Sequence, residues 1–555
     1  MRGDLLIAVA LLPFLGSSPQ QPQEAQPPKA ATARIAGRVV AADTGRPLKG
    51  AVLQLVSYEV MRVAKSAVTD AQGRYEFTGL LAGRYQLEAS AERYLGLQYG
   101  QRRPPEPGKP IDLREGERFE AAVIALPRAG AIEGRLLDEF NDPAPNIIVQ
   151  ASRLEFVAGR HRLLPLGSRI APRPTDDKGQ FRIAGLGPGS YYLCALSGAF
   201  TEQNEVGGFA PTYYPGTAEV SEARPVRLGF GESATNLTIT LVPARMARVA
   251  GALVDPSGRP VARGTVMLFP SDSLNTVGFM AARGTSGPDG AFVFRNVPPG
   301  TYTIQAFGSP VGGGSLGQAP FGWLRTIADG TDVTGLVVKV APGVTARGRI
   351  VFEGDTAPPP NRDEVRVSPR PIEFDSTPVV GGGGPPQTIS NDWTFEVRNL
   401  SGLRVIRVDV NPPEWSLARI EFNGEEVTDR PIDFRTRDVD GLEIVLTCLG
   451  ASVSGVVADT DGSPARDYSV VVFAADPVRW AFPSRFVALA RPNQDGRFKV
   501  QRLPPADYLC IALPVVQGSE WQDPEFLERL VREATPFTLA AGESRTLDLK
   551  LTRPR

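Results

Sequence analysis

The chain has 555 residues, too many for one hydrophobic core, so several domains of roughly 100 to 200 residues are expected. Its 60 basic and 61 acidic residues are interspersed and leave a net charge of −1, which removes the electrostatic footprint that nucleic acid or an anionic membrane would require. One histidine and three scattered cysteines, Cys194, Cys448 and Cys510, exclude a histidine-based zinc site and a disulfide framework.

Residues Leu5 to Leu15 form an apolar run behind Arg2, too short to span a bilayer and of the length of a secretory signal core. Residues 1–18 therefore read as a signal peptide, whose removal leaves no membrane span, and 19–33 as a Pro/Gln-rich linker with nothing to bury. From Arg34 onward the pattern is strand, turn, strand. An opening signature, apolar-x-Gly-x-apolar, centres on Gly37, Gly134, Gly251, Gly348 and Gly455, at spacings of 97, 117, 97 and 107 residues. Repeats of that length are domains and not solenoid rungs.

Each opening signature is followed by a second one, first seen as TDAQGRYEFTGLLAGRYQL from Thr69 to Leu87. Asp70 opens a turn that Gly73 closes; Tyr75 and Phe77 share one face of a strand, with Arg74 and Glu76 on the other. Gly83 then suits the positive φ of a type II turn, and Tyr85, Leu87 and Ala89 line the next strand. Copies follow with Phe181 and Tyr191, with Phe292 and Tyr302, and with Phe498 and Tyr508 in the same slots. The fourth copy has drifted: Trp393 and Leu403 replace its glycines and Val405 its tyrosine, and in the fifth Ala506 stands in the second glycine slot. If those turns keep their type, Ala506 and Leu403 are strained and Ala506→Gly stabilises the fifth unit.

These strands predict an all-β protein of five tandem sandwiches, about seven strands each: 34–128, 129–245, 246–343, 344–449 (divergent) and 450–555. One short helix is predicted over 523–534, with Asp523 as its cap and Pro524 at its first position. Five sandwiches with short joints would make a rod on the order of 150 Å. The glycine runs Val311 to Ser315 and Gly381 to Gly384 lack the strand-then-helix context of a phosphate cradle and read as loops.

The paired signatures, with Gly-x-Pro at Gly45 to Pro47, Gly258 to Pro260 and Gly462 to Pro464, resemble the carboxypeptidase regulatory-like domain. That resemblance implies a transthyretin-like, Ig-like or carbohydrate-binding-like sandwich, common in tandem in secreted bacterial proteins, and it implies fold much more than function.

The zinc peptidase such domains often accompany is not encoded here, because His161 is alone and flanked by Arg160 and Arg162, which reads as a solvated loop. No catalytic residue, metal or cofactor is expected. Asp70, Asp176 and Asp289 sit at turn corners, and Cys448 and Cys510 fall in apolar strand phases as buried thiols. What remains is an aromatic excursion after the second signature strand of every unit: Tyr94 and Tyr99; Tyr213 and Tyr214; Phe321 and Trp323; Trp415; Trp521. Aromatics on loops either stack on sugar rings or fold back as lids on the core. Tyr99, Tyr213, Tyr214 and Trp323 are the candidate ligand-binding residues. The expected partner is a polysaccharide or an envelope protein, and the expected role is a non-catalytic exported module for binding, adhesion or spacing.

Overall fold

A computed structural model describes residues 31–58, 62–166, 173–197, 208–271, 282–309, 316–354, 358–373, 377–378, 386–411 and 414–553. The signal segment, most of the linker and both glycine runs lie outside the described residues.

Five sandwiches follow one another along the chain. In the first, the opening strand Ala33–Ala41 is the middle of a three-stranded sheet. It runs antiparallel to the signature strand Arg74–Leu80 and parallel to the closing strand Arg118–Leu126. The facing sheet is built on Val52–Ser57 and Gly83–Ser90. Units two, three and five repeat the three-stranded order around Gly130–Leu137, Ala247–Val254 and Ala451–Ala458. The alternation read from sequence is the burial seen: Tyr75 and Phe77 are buried while Arg74 and Glu76 are exposed. Each unit has its own apolar core.

Unit four departs from the rest. Its closing strand Val439–Thr447 also pairs with Ser416–Phe422, and Gln387–Ile389 joins the signature strand Thr394–Leu400, giving a six-stranded sheet. The drifted signature thus goes with a redistributed sheet. Trp393 holds φ at 62°, the conformation that Gly73 adopts in unit one, and its ring meets Phe352 edge-on at 4.6 Å. Packing offsets backbone strain there.

The opening-signature glycine has a steric reason. A Cβ on Gly37 would lie 2.0 Å from the carbonyl oxygen of Ala122 on the parallel strand, and one on Gly455 1.8 Å from that of Leu547. The aromatic of the signature strand closes the other side: Gly37 pairs with Tyr75, whose hydroxyl donates to the same Ala122 oxygen at 2.6 Å.

The second glycine slot divides: Gly189 and Gly300 hold positive φ, at 146° and 159°, and the other three units do not. Gly83, Leu403 and Ala506 do not have positive φ, so neither substituted turn is strained and Ala506 needs no glycine. The left-handed residue sits earlier, at Gly79, Gly185, Asn296, Asn399 and Arg502, with φ of 61°, 86°, 55°, 59° and 63°. There the ladder skips: Ala33 pairs with Leu80 but Ile35 with Phe77, a bulge that turns the signature strand into its corner. The helix is also shorter than expected, Pro524–Leu530, because the chain after it turns into the strand Thr535–Leu539, which pairs with Ala506–Leu513. Asp523 caps it as expected, accepting from the Glu525 amide at 3.0 Å.

The row of sandwiches does not stay straight. Unit five returns to unit one: Arg102 of unit one pairs with Asp467, Gln494 exchanges hydrogen bonds with the Asp112 backbone at 3.0 and 2.7 Å, and Arg491 donates to the Gly100 carbonyl at 3.1 Å. Arg491 also holds Asp467 at 2.6 Å with its side chain only 2% exposed. The short joints predicted a rod because they restrict bending, but polar contacts between distant units curve the row into a closed arrangement.

Four outcomes test this geometry. Gly79→Ala meets no atom within 3.4 Å and should cost about 1 kcal/mol from φ alone, whereas Gly37→Ala should unfold unit one, as read by thermal melting. Ala506→Gly should now lower stability slightly instead of raising it. In solution scattering, the radius of gyration should fall well below the roughly 43 Å of a uniform rod of ~150 Å.

Candidate functional site

The conserved-looking slots of the signatures are structural anchors. Tyr85, Tyr191, Tyr302 and Tyr508 are buried, and each hydroxyl donates to the carbonyl four residues upstream: Leu81, Gly187, Pro298 and Pro504, at 2.9, 2.6, 2.9 and 2.7 Å. Unit four, with Val405, lacks this tie. Sequence reasoning assigned these tyrosines to strand faces but missed the hydrogen bond, which the fixed offset to the preceding turn signals. It also missed the buried hydroxyls just before the turn. Thr69, Thr175 and Ser286 each donate to one backbone carbonyl and accept one amide, stapling the turn to the neighbouring loop.

The corner carboxylates are turn acceptors. Asp70 takes the amides of Gln72 and Arg74 at 2.9 and 2.8 Å, and Asp255 those of Ser257 and Arg259 at 2.8 and 3.0 Å. The Ser257 hydroxyl and these amides pull the exposed Asp255 carboxyl down to about 2. No group of three metal-ligating side chains occurs among the described residues. Burial pushes the Cys194 and Cys510 thiols up to about 12. Cys510 is buried as expected, whereas Cys448, just past its strand, is only half-buried. His161 is solvent-exposed as expected but lies in the strand Arg160–Pro165 and not on a loop, edge-on to Phe156, with Nε2 3.3 Å from the Asp523 carboxylate of unit five.

The aromatic excursions divide. Tyr99 is half-buried on the first core, edge-on to Phe119 at 5.7 Å. Tyr213 is 9% exposed, in the short strand Thr212–Tyr213 opposite Cys194, and Tyr214 is half-buried against the second core. Trp415 is fully buried, donating to the Pro358 carbonyl at 2.8 Å. Trp521 is half-buried against the fifth core. Trp323 differs: it is 44% exposed and points outward, with Arg325 and Ile327, from the strand Phe321–Ala328 that the sequence reading took for an irregular excursion. Alternation over Phe321 to Ala328 was the signal for it.

One of the four candidates, Tyr213, lines a cleft of 820 Å³ between units two and three. Tyr213, Gln150 and Ser152 line it from unit two, and Thr301, Tyr302 and Ile327 from unit three; Trp323 lies further along the outward face that Ile327 shares. Tyr99 belongs to a different unit and Tyr214 is not in the wall. The cleft mixes hydroxyl, amide, thiol, carboxylate and ring surface.

Residues 34–121 match the carboxypeptidase regulatory-like domain. This regulatory-like domain is the first sandwich, and the units that follow repeat its opening glycine and signature strand. No curated protein matches the chain. Among solved structures, a streptococcal ancillary pilin is similar at 14% identity over 56% of this chain and 99% of its own, with a TM-score of 0.19. A minor pilin of Streptococcus agalactiae matches at 14% identity over 38% of this chain and 96% of its own, with a TM-score of 0.23. The major pilin subunit of Bacillus cereus matches at 12% identity over 56% of this chain and 99% of its own, with a TM-score of 0.14. No helix among the described residues is long and apolar enough to cross a membrane.

Tyr191→Phe removes the hydroxyl that donates to the Gly187 carbonyl and accepts from Arg153, and should lower the stability of unit two by about 1 to 2 kcal/mol, and Tyr213→Ala by several, measured by melting a fragment of units one to three. Asp255, held below its ordinary 3.8, stabilises unit three fully above that pH and loses the contribution as pH falls through about 2. Melting of Asp255→Asn across this range should show a shallower acid decline than the parent.

Proposed function

We propose that this chain is a non-catalytic, exported multi-sandwich protein that presents binding surfaces or spaces partners at the cell envelope. The observation that carries this reading is the commitment of its reactive groups to architecture. Corner tyrosines tie turns, aspartates cap them, two thiols are held protonated by burial, and the single histidine faces a carboxylate of another unit. Export rests on the apolar run Leu5 to Leu15. Peptidase, esterase and glycosidase assays of the purified protein should show no turnover. Robust turnover abolished by one substitution would overturn the proposal.

A second reading, carbohydrate binding, is favoured by Trp323, whose ring is exposed on the outward face of its strand, the face from which Ile327 reaches the cleft that holds Tyr213. A rigid exposed ring loses little entropy on stacking. Trp323→Ala should then weaken retention on polysaccharide by roughly 1 to 3 kcal/mol without changing the melting temperature. Unchanged retention removes Trp323 from the site.

A further inference from the structure

The cleft of 820 Å³ between units two and three is built from two surfaces of different origin. One is the outward face of the larger sheet of unit two. In the strand Ile147–Val157, Val149 and Ala151 belong to the core, so Gln150 and Ser152 stand on the opposite face. Gln150 pairs with Cys194 of the neighbouring strand Gly189–Ser197, and Leu163 adds an apolar patch. Unit three supplies the other surface, with Pro270, Thr301 and Ile327.

Polar groups held between two units are unfavourable when nothing hydrogen-bonds them. Here the side chains of Gln150, Ser152 and Thr301 make no hydrogen bond to any described residue, although Ser152 is only 6% exposed. Ordered water or a ligand has to supply their bonds. Ser152 lies in the sheet with Pro165 on one side and Tyr192 on the other, so an extended peptide finds no open strand edge beside it and recognition falls to side chains. A primary amide and two hydroxyls both donate and accept, as sugar hydroxyls do.

Charge narrows the class of ligand. Among the described residues that line the cleft, Glu219 is the one with an ionised side chain, and it is exposed. Burial pushes the Cys194 thiol up to about 12, which leaves it neutral. An anionic ligand would therefore meet one like charge and no arginine or lysine in the wall, and it would lose its hydration without a partner. A neutral polyol meets no such opposition.

We propose, resting on the carbohydrate reading, that this cleft binds a neutral oligosaccharide, with ring hydroxyls on Gln150, Ser152 and Thr301 and apolar ring faces against Leu163, Pro270 and Ile327. Its volume is within the roughly 300 to 1,000 Å³ of small-molecule sites. The outward face that Ile327 shares with Trp323 would carry the chain onward.

The test is calorimetric titration of the full-length protein with neutral oligosaccharides of glucose, xylose, mannose and N-acetylglucosamine, and with an oligogalacturonate of the same length. At least one neutral oligomer should bind with little dependence on salt, and the oligogalacturonate roughly tenfold or more weaker. Gln150→Leu and Ser152→Ala remove groups without partners in the protein, so each should keep the melting temperature and lower affinity by roughly threefold to tenfold. If melting shows that Gln150→Leu does not fold, Ser152→Ala and Thr301→Val decide. Oligogalacturonate binding as tightly as the best neutral oligomer, or full affinity in these variants with a loss in Trp323→Ala, would overturn the cleft assignment and leave the carbohydrate reading standing. No binding of any oligosaccharide would remove both.

Discussion

The arrangement of every sandwich depends on a close approach at its opening strand, the middle of the three-stranded sheet in four units and an inner strand of the six-stranded sheet in unit four. The opening-strand glycine lies against a carbonyl of the parallel closing strand on one side and beneath an aromatic ring of the signature strand on the other. No side chain fits between them. Because the ring occupies the space a Cβ would need, the three strands draw together and the aromatic reaches the core at a fixed depth, which sets where the facing sheet must lie. The corner tyrosine, the bulge and the stapled turn are then the means by which the chain leaves this packed centre and comes back to it.

Much of this was legible, and the legible part is local. Alternation at Tyr75 and Phe77 and the Asp-to-Gly turn depend only on neighbours a few residues away, and the strand glycine, whose partner is distant, was marked by its recurrence. The left-handed residue was misplaced because the turn glycine at Gly83 is the more conspicuous signal. The true position is filled by Gly79, Asn296 or Arg502, three residue types that no simple pattern unites. Asn and Gly in that slot were the available hint. The site was less legible than the fold. Tyr213 and Trp323 look alike as aromatics near a strand end, but one turns inward beside Cys194 and the other outward, a difference set by pleat phase.

The return of unit five to unit one was not legible at all. It depends on Arg491, Asp467, Asp112 and Gln494, ordinary polar residues whose meeting is decided by the summed angles at four joints. Its near-total burial makes Arg491 a residue whose neutral replacement would leave Asp467 only its contacts with Arg102 and Lys109 of unit one, so the contact is specific in a way that an exposed ion pair is not. Units four and five likewise meet over Asp429, shared by Arg407 and Arg485, so this contact too is a product of inter-unit geometry and not of any one repeat.

The parallel pairing of opening and closing strands also governs how the chain can be made. In each unit the strand that appears first must wait for the strand that appears last, since Gly37 has its parallel partner at Ala122 and Gly455 at Leu547, nearly a whole unit later. No sandwich can complete its smaller sheet while its C-terminal strand is still inside the ribosome or a secretion channel. The antiparallel hairpins of the larger sheet can form in the meantime, but the opening strand keeps one edge unpaired, where a neighbouring repeat of similar sequence could substitute. Sequence divergence between successive units, strongest in the fourth, would then protect the row against pairing out of order.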